Sequence, residues 1–525
     1  MTRLRLLLAA LTALVVAPSA LAQSAECVDG KASGYDCSNV DLLAYFSPQD
    51  LGAPAFGQCA SPYPGLCGND IWGWTDPDTD RRYALVGLTN GTAFVDITTP
   101  DVPIRLGMLA TETTSSSWRD VKALGNVALV VSEAAGHGMQ IFDLTRLRGL
   151  TEDATRRFEA DAVYTGIGAA HNVVVNEATH RAYAVGARNG SGTTLPTACN
   201  ARGLHAIDLS DPMEPAFLGC ITDQNGATND RGYTHDAQCV VYDGPDADYT
   251  GHEICFASNE DEVSIFDVST VSAPVLISQV AYPTPSYTHQ GWLTEDGHYL
   301  LVNDELDEYN GLTTTQRTLV VDVSDLDDPE FDFAYDSGIT TIDHNLYVLD
   351  GLAYESNYEA GLRILDLSAI ASGSLSEVAY FDTYTPSTTA EFAGQWSNYP
   401  YFGGGLVIAN DGETGFFVLQ VHPDVLTGTQ GPPDLSGSGF TLSPARPNPA
   451  TSGSRLTLQV AQAQTVRAEL FDVAGRHLAT LFAGAASPST DLVIDVDRGD
   501  LPAGVYVVRV TGEAFETSRR ITFSR

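Results

Sequence analysis

Basic residues are scarce in this chain. It carries 27 Lys and Arg against 67 Asp and Glu, a formal net charge of -40 over 525 residues. Phosphate recognition needs Lys and Arg gathered on one face, so nucleic acid is excluded as a partner. Helical periodicity is almost missing, and beyond the first residues no apolar run reaches the length of a membrane span. Among eight cysteines there is no C-x-x-C pair, which argues against a zinc ribbon. No glycine loop opens a helix to cradle phosphate. The stretches "NGSGTT" and "LSGSGF" read as loops, without the strand-turn-helix elbow of a serine hydrolase.

What is present points outward from the cell. The opening "MTRLRLLLAALTALVVAPSALAQ" has Arg3 and Arg5, an apolar run, then Ala20 and Ala22, the pattern of a secretory signal spanning residues 1–22. The cysteines fall in four local couples, Cys27 with Cys37, Cys59 with Cys67, Cys199 with Cys220 and Cys239 with Cys255, and are read as disulfides suited to an oxidising destination. Dense carboxylates keep a surface hydrated and attract cations.

A short apolar strand ending in Asp plus a hydroxyl residue recurs along the chain: "AFVDIT" at Asp96, "QIFDLT" at Asp143, "HAIDLS" at Asp208, "SIFDVS" at Asp267, "LVVDVS" at Asp322 and "RILDLS" at Asp366. A seventh, "FVLQVH", has Gln420 in that place. The Asp and Ser/Thr side chains cap a turn, and Pro often follows to fix φ. Two further strands precede each copy, and in several copies another follows the proline turn, as in "TTPDVPIRLGML". Four strands per unit and seven units predict an all-β fold, a seven-bladed β-propeller over residues 69–422. The last unit is one strand short, and "NVDLLAYF" (Asn39 to Phe46) resembles the outer strand "SEVAYFD" of the sixth. The N-terminal segment 23–68 is therefore expected to hold disulfides and to close the ring, removing a free sheet edge. Residues 423–439 read as a Pro/Gly/Ser linker, and 440–525 as a small Ig-like β-sandwich.

Aligning the units places His171, His235, His289 and His344 where consecutive innermost strands begin, with Asp70, Arg119 and Gln395 at the matching positions elsewhere. The doublet partners are Asn172, Asp236, Gln290 and Asn345. Acids or amides close the second strand of each unit, among them Asn90, Glu133, Glu260, Glu305, Glu355 and Asp411. In an up-and-down blade these two sets share one face. The imidazoles are metal-ligand candidates for a transition ion, with Asp or Glu as support; hydrogen bonding between blades is the other role the repeat predicts. Trp72, Trp118, Trp292 and Trp396 are expected near the rim, as sugar platforms or as packing. For calcium, "TDPDTDRR" (75–82) and "YDGPDADYTG" (242–251) offer oxygens, but neither completes an EF-hand loop and both suit hairpin turns.

Two resemblances follow from these motifs. Through "THDAQCVVYDGPDADYTGHEICFASNED", "THQGWLTEDGHYLLVNDELDE" and "LVVDVS", the region from Asn39 to His422 resembles the choice-of-anchor B family of secreted bacterial proteins built from LVIVD repeats. Through "PARPNP" (444–449), "ELFDVAGR" (469–476) and "LPAGVYVVRV" (501–510), the tail resembles the type A sorting domain of the type IX secretion system. The second resemblance implies the type IX secretion machinery as a partner and an extracellular or outer-surface location on a Gram-negative bacterium. The expectation is a binding or scaffolding module for a glycan, peptide or protein, with no catalytic residue assigned. A metal-dependent surface enzyme and a calcium-stabilised adhesion module are the alternatives.

Overall fold

The computed structural model describes residues 24–189, 194–196, 199, 202–222 and 233–428, and with short interruptions 440–523. The expected signal, the linker beyond Gly428 and the "PARPNP" motif, apart from Ala445, lie outside the described residues.

Period-two strands dominate, and they pair as the repeats require. The first blade comprises Gly68–Thr75, Arg82–Leu88, Gly91–Asp96 and Ile104–Ala110. The fourth runs Asp236–Val241, Glu253–Ser258, Val263–Asp267 and Val275–Val280, antiparallel throughout. Seven such sheets follow one another, and the seventh is completed by the N-terminal strand Val40–Phe46 pairing with Gly415–Val421.

Hydrogen bonds carry the ring around from blade to blade. Val121 N–H donates to Asp70 at 3.0 Å, Val173 N–H to Asp120 at 2.7 Å, Asn172 to the His235 carbonyl at 3.4 Å and Leu293 N–H to Gln238 at 2.8 Å. Leu346 N–H donates to Gln290 at 2.6 Å and Asn398 to the Tyr354 carbonyl at 3.1 Å; Asn410 reaches the Asn69 carbonyl at 2.7 Å and shuts the circle. Apolar burial follows the same scheme. In Arg82–Leu88, Ala84, Val86 and Leu88 pack with Ile408 and Phe416 of the seventh blade, while Tyr83 and Leu85 pack with Val121 and Val130 of the second. Opposite faces of one pleat thus feed two neighbouring cores, which is why the strands read as nearly continuous apolar runs.

The recurring aspartates act as the turn reading requires. Asp96, Asp143, Asp208, Asp267, Asp322 and Asp366 each accept a hydrogen bond from the backbone N–H two residues on, at 2.8–3.0 Å. Both calcium candidates are turns as well. Asp76 accepts from Asp78 N–H and the Thr79 hydroxyl, and Asp246 from Asp248 N–H.

All eight cysteines form the four expected disulfides. Three local features depart from the sequence reading. Residues 423–428, expected as linker, form a helical turn, Pro423–Gly428, whose Val425 packs on the core between the sixth and seventh blades. The N-terminal segment also adds Lys31–Ala32 and Tyr35–Ser38 to the outer edge of the sixth blade. In the second blade a 3-10 turn, Leu144–Leu147, leads into a long connection whose Arg157–Phe158 pairs in parallel with Ile104–Ala110.

The chain divides into two compact units, one of residues 1–74 and 82–426, the other of residues 75–81 and 427–525. In the second, Phe440–Leu442, Gly453–Val460 and Leu492–Asp497 form one sheet. Gln464–Asp472, His477–Ala486, Gly504–Thr511 and Glu516–Phe523 form the other. Leu456, Leu458, Ile494, Val508, Val510 and Ile521 belong to a single core, giving a small β-sandwich.

Candidate ligand site on the histidine wall of the channel

Inner strands begin at the channel, so a residue at their start is carried to its wall. His171, His235 and His344 immediately precede Asn172–Asn176, Asp236–Val241 and Asn345–Leu349, and His289 lies in Thr288–Leu293. Their rings form a continuous row, each tilted against the next by 41–51°: centroids are 4.4 Å apart for His171 and His235, 4.2 Å for His235 and His289, and 4.3 Å for His289 and His344.

Each ring is held through Nδ1. His235 donates to the His289 carbonyl at 3.0 Å, His289 to the His344 carbonyl at 3.1 Å and His344 to the Trp396 carbonyl at 2.6 Å. A carbonyl can only accept, so the proton sits on Nδ1. Burial, and for His235 and His289 the neighbouring imidazoles, hold these rings well below the ordinary histidine range, with His344 at about 3. The three are therefore neutral near pH 7, with the free electron pair on Nε2.

Two carboxylates join the wall. Glu133 accepts from His171 Nδ1 at 2.7 Å and from Arg188 at 2.5 Å. Burial pushes its carboxyl up, but His171 and Arg188 outweigh that and hold it at about 2. Glu305 accepts from the Tyr358 hydroxyl at 2.7 Å, and burial raises it to about 7. Its Oε2 lies 3.8 Å from His289 Nε2 and its Oε1 3.7 Å from His344 Nε2. Glu260 takes part through its backbone, pairing both ways with Thr288 at a left-handed φ of 66°, and its carboxylate acts on Tyr287, whose ring meets His235 at 5.1 Å.

The doublet residues knit blades beneath the rings. Asn172 and Gln290 make the inter-blade bonds given above, and Asn345 donates to the Trp396 carbonyl at 3.2 Å. Asp236 bonds Ala237 N–H of its own strand, and burial raises it to about 6.

Six sequence-predicted members are not in the wall: Asn90 donates to the Gly52 carbonyl at 3.0 Å, Gln395 donates to Ser356 at 2.8 Å, Asp411 accepts from Thr383 at 2.8 Å, and Arg119, Asp70 and Glu355 turn elsewhere as well. Arg119 is fully buried and turns to the first blade, donating to the Leu88 carbonyl at 2.9 Å and to Thr111 at 2.7 Å, with His137 at 3.1 Å. A guanidinium needs several partners when buried, and the Leu88 carbonyl, the Thr111 hydroxyl and the His137 ring supply them. Asp70 is drawn to Lys122 at 3.0 Å, which also meets Asp120 at 2.5 Å. Glu355 accepts from Thr318 at 2.6 Å and Asn357 at 3.0 Å, between the fifth and sixth blades.

The tryptophans divide similarly. Trp396 meets His344 edge-on at 5.1 Å and Trp118 meets Tyr63 at 6.0 Å. Trp72 and Trp292 instead line a cavity of about 460 Å³ further along the inner strands, with Lys122, Glu177, Gln238 and Tyr401. Sequence reasoning missed Arg188, Tyr287, Tyr358 and Lys122. The only signal was Lys122 itself, a cation two residues beyond Asp120 in the inner strand Arg119–Leu124.

Fold and site together define a seven-bladed β-propeller whose consecutive inner strands bring four histidines side by side, followed in the chain by a small β-sandwich. No family model matches the chain, and no curated protein matches it. Among solved structures it is similar to the β-propeller domain of Cps50 (Swd1) from Myceliophteria thermophila, at 15% identity over 67% of this chain and 97% of that one, with a TM-score of 0.41. It is also similar to a functionally unknown protein from Desulfotomaculum acetoxidans, at 12% identity over 59% of this chain and 85% of that one, with a TM-score of 0.39. The fold rests on the strand pairing above, not on these likenesses.

Proposed function

We propose that the protein is an exported, surface-delivered propeller that binds an extracellular ligand at its histidine wall. The observation that carries this is the unbroken row of four imidazoles, three of them held in one neutral tautomer and two of these facing Glu305. Four disulfides suit an oxidising compartment. The sorting-domain resemblance of the tail supports delivery by the type IX machinery, and the LVIVD-type repeats support membership of the choice-of-anchor B proteins. No catalytic residue is part of this reading.

The test uses the full mature chain and a His171→Ala/His235→Ala double variant on glycan and peptide arrays. The reading expects a ligand that the intact chain captures and the variant loses, while both melt cooperatively at similar temperatures. Capture of nothing, or equal capture by both, overturns it.

A further inference from the structure

We propose that His289, His344 and Glu305 form a binding site for one divalent transition-metal ion, through Nε2 of each imidazole and a carboxylate oxygen of Glu305. The inference rests on the reading of the histidine wall as a binding site and names the ligand class at one end of it.

The three donor atoms lie within 4.8 Å of one another. The gaps from Nε2 to Glu305, 3.8 and 3.7 Å, are too long for hydrogen bonds. An ion bonded at about 2.0–2.2 Å to nitrogen and oxygen spans gaps of that size. With the proton on Nδ1, each Nε2 is an acceptor that faces another acceptor on Glu305, and a cation between them satisfies both.

The surroundings are those of a prepared ligand set. Both Nδ1–H groups are fixed on backbone carbonyls, those of His344 and Trp396, which sets the tautomer and aims Nε2 as a donor. Glu305 is steadied by Tyr358, itself held at a left-handed φ of 43° by backbone pairing with Gln395. Cysteine takes no part, since all eight are in disulfides. Two imidazoles and one carboxylate favour zinc, iron, cobalt, nickel, copper or manganese over calcium, whose ligands are oxygens. Three protein donors leave coordination positions for an oxygen from solvent or a bound ligand. His171 is occupied by Glu133 and stands outside this set.

The experiment uses full-length mature protein without a histidine tag, stripped by chelator and dialysed against Zn²⁺ or Co²⁺, with metal content by elemental analysis and affinity by calorimetry. We expect one ion per chain, Co²⁺ absorption bands of a nitrogen–oxygen site, and at least about 10-fold weaker binding in His289→Ala and in Glu305→Gln. Tyr358→Phe, which keeps the ring and removes only the hydroxyl on Glu305, should weaken binding by about 10- to 100-fold. His171→Ala should keep the ion. Less than about a tenth of an equivalent in the intact chain, or undiminished metal in a folded His289→Ala protein, overturns the proposal. Binding of Ca²⁺ in preference to Zn²⁺ overturns it too. Array capture lost in the His171/His235 variant alongside a metal-free intact chain would sink the ion and leave the wider reading standing; the reverse pattern would do the opposite.

Discussion

At the scale of single residues, buried polar groups decide how blades fit together. Glu253 lies fully inside the interface of the third and fourth blades. It accepts from Asn176, Thr179 and Tyr183 at 2.8 Å each and pairs with Arg181. Removing the carboxylate strands four donors, one of them a cation. Glu253→Ala is expected to lose about 3–5 kcal/mol of stability in urea unfolding, and a loss under about 1 kcal/mol would show that water replaces the carboxylate. Such a role was not legible in "HEICFAS", because the partners come from 70 or more residues away. The six turn aspartates were legible, because each is satisfied two residues on.

At the scale of elements, the strand Val40–Phe46 matters most. It alone pairs with the open edge of Gly415–Val421, and Leu42 and Ala44 fill the cores on its two sides. A chain beginning at Ser47 would leave that edge unpaired and two interfaces hollow. We expect it to aggregate or to unfold without a cooperative transition, and a synthetic peptide of residues 24–46 supplied in trans to restore a sharp melt. Cooperative melting of the shortened chain alone would show that the ring closes without its N-terminus. This closure was visible in sequence as a missing fourth strand in the last repeat. The helical turn Pro423–Gly428 was not, since Pro and Gly composition resembles a linker and only contact with the core orders it.

At the scale of the whole molecule, acidic groups buried in different blades act together on stability. Burial raises Glu355 in the sixth blade to about 7 and Glu413 in the seventh to about 8, from an ordinary value of 4.5. Between these limits the native state holds protons that the unfolded chain has released, so stability falls as pH rises. The buried histidines work in the opposite sense, but only below their unfolded value of 6.5, where the unfolded chain takes up protons that the native state refuses. Above pH 6.5 that opposing uptake fades and the carboxyls come to dominate. The unfolding free energy is expected to decline from about pH 6.5 to 8, and Glu413→Gln, which keeps the neutral shape, to flatten the decline. A curve level across that range in the intact protein contradicts it.

The sequence by itself determined the repeat, the seven blades, the closing strand, the disulfide couples and the residues that start each inner strand. All of these are set by neighbours in the chain or by the period of the pleat. Tertiary structure alone decided which of those residues meet. Strand phase and side-chain reach sent Arg119, Asp70 and Glu355 into contacts between blades, and the closed ring brought ligand atoms of His289, His344 and Glu305 to within 4.8 Å of one another.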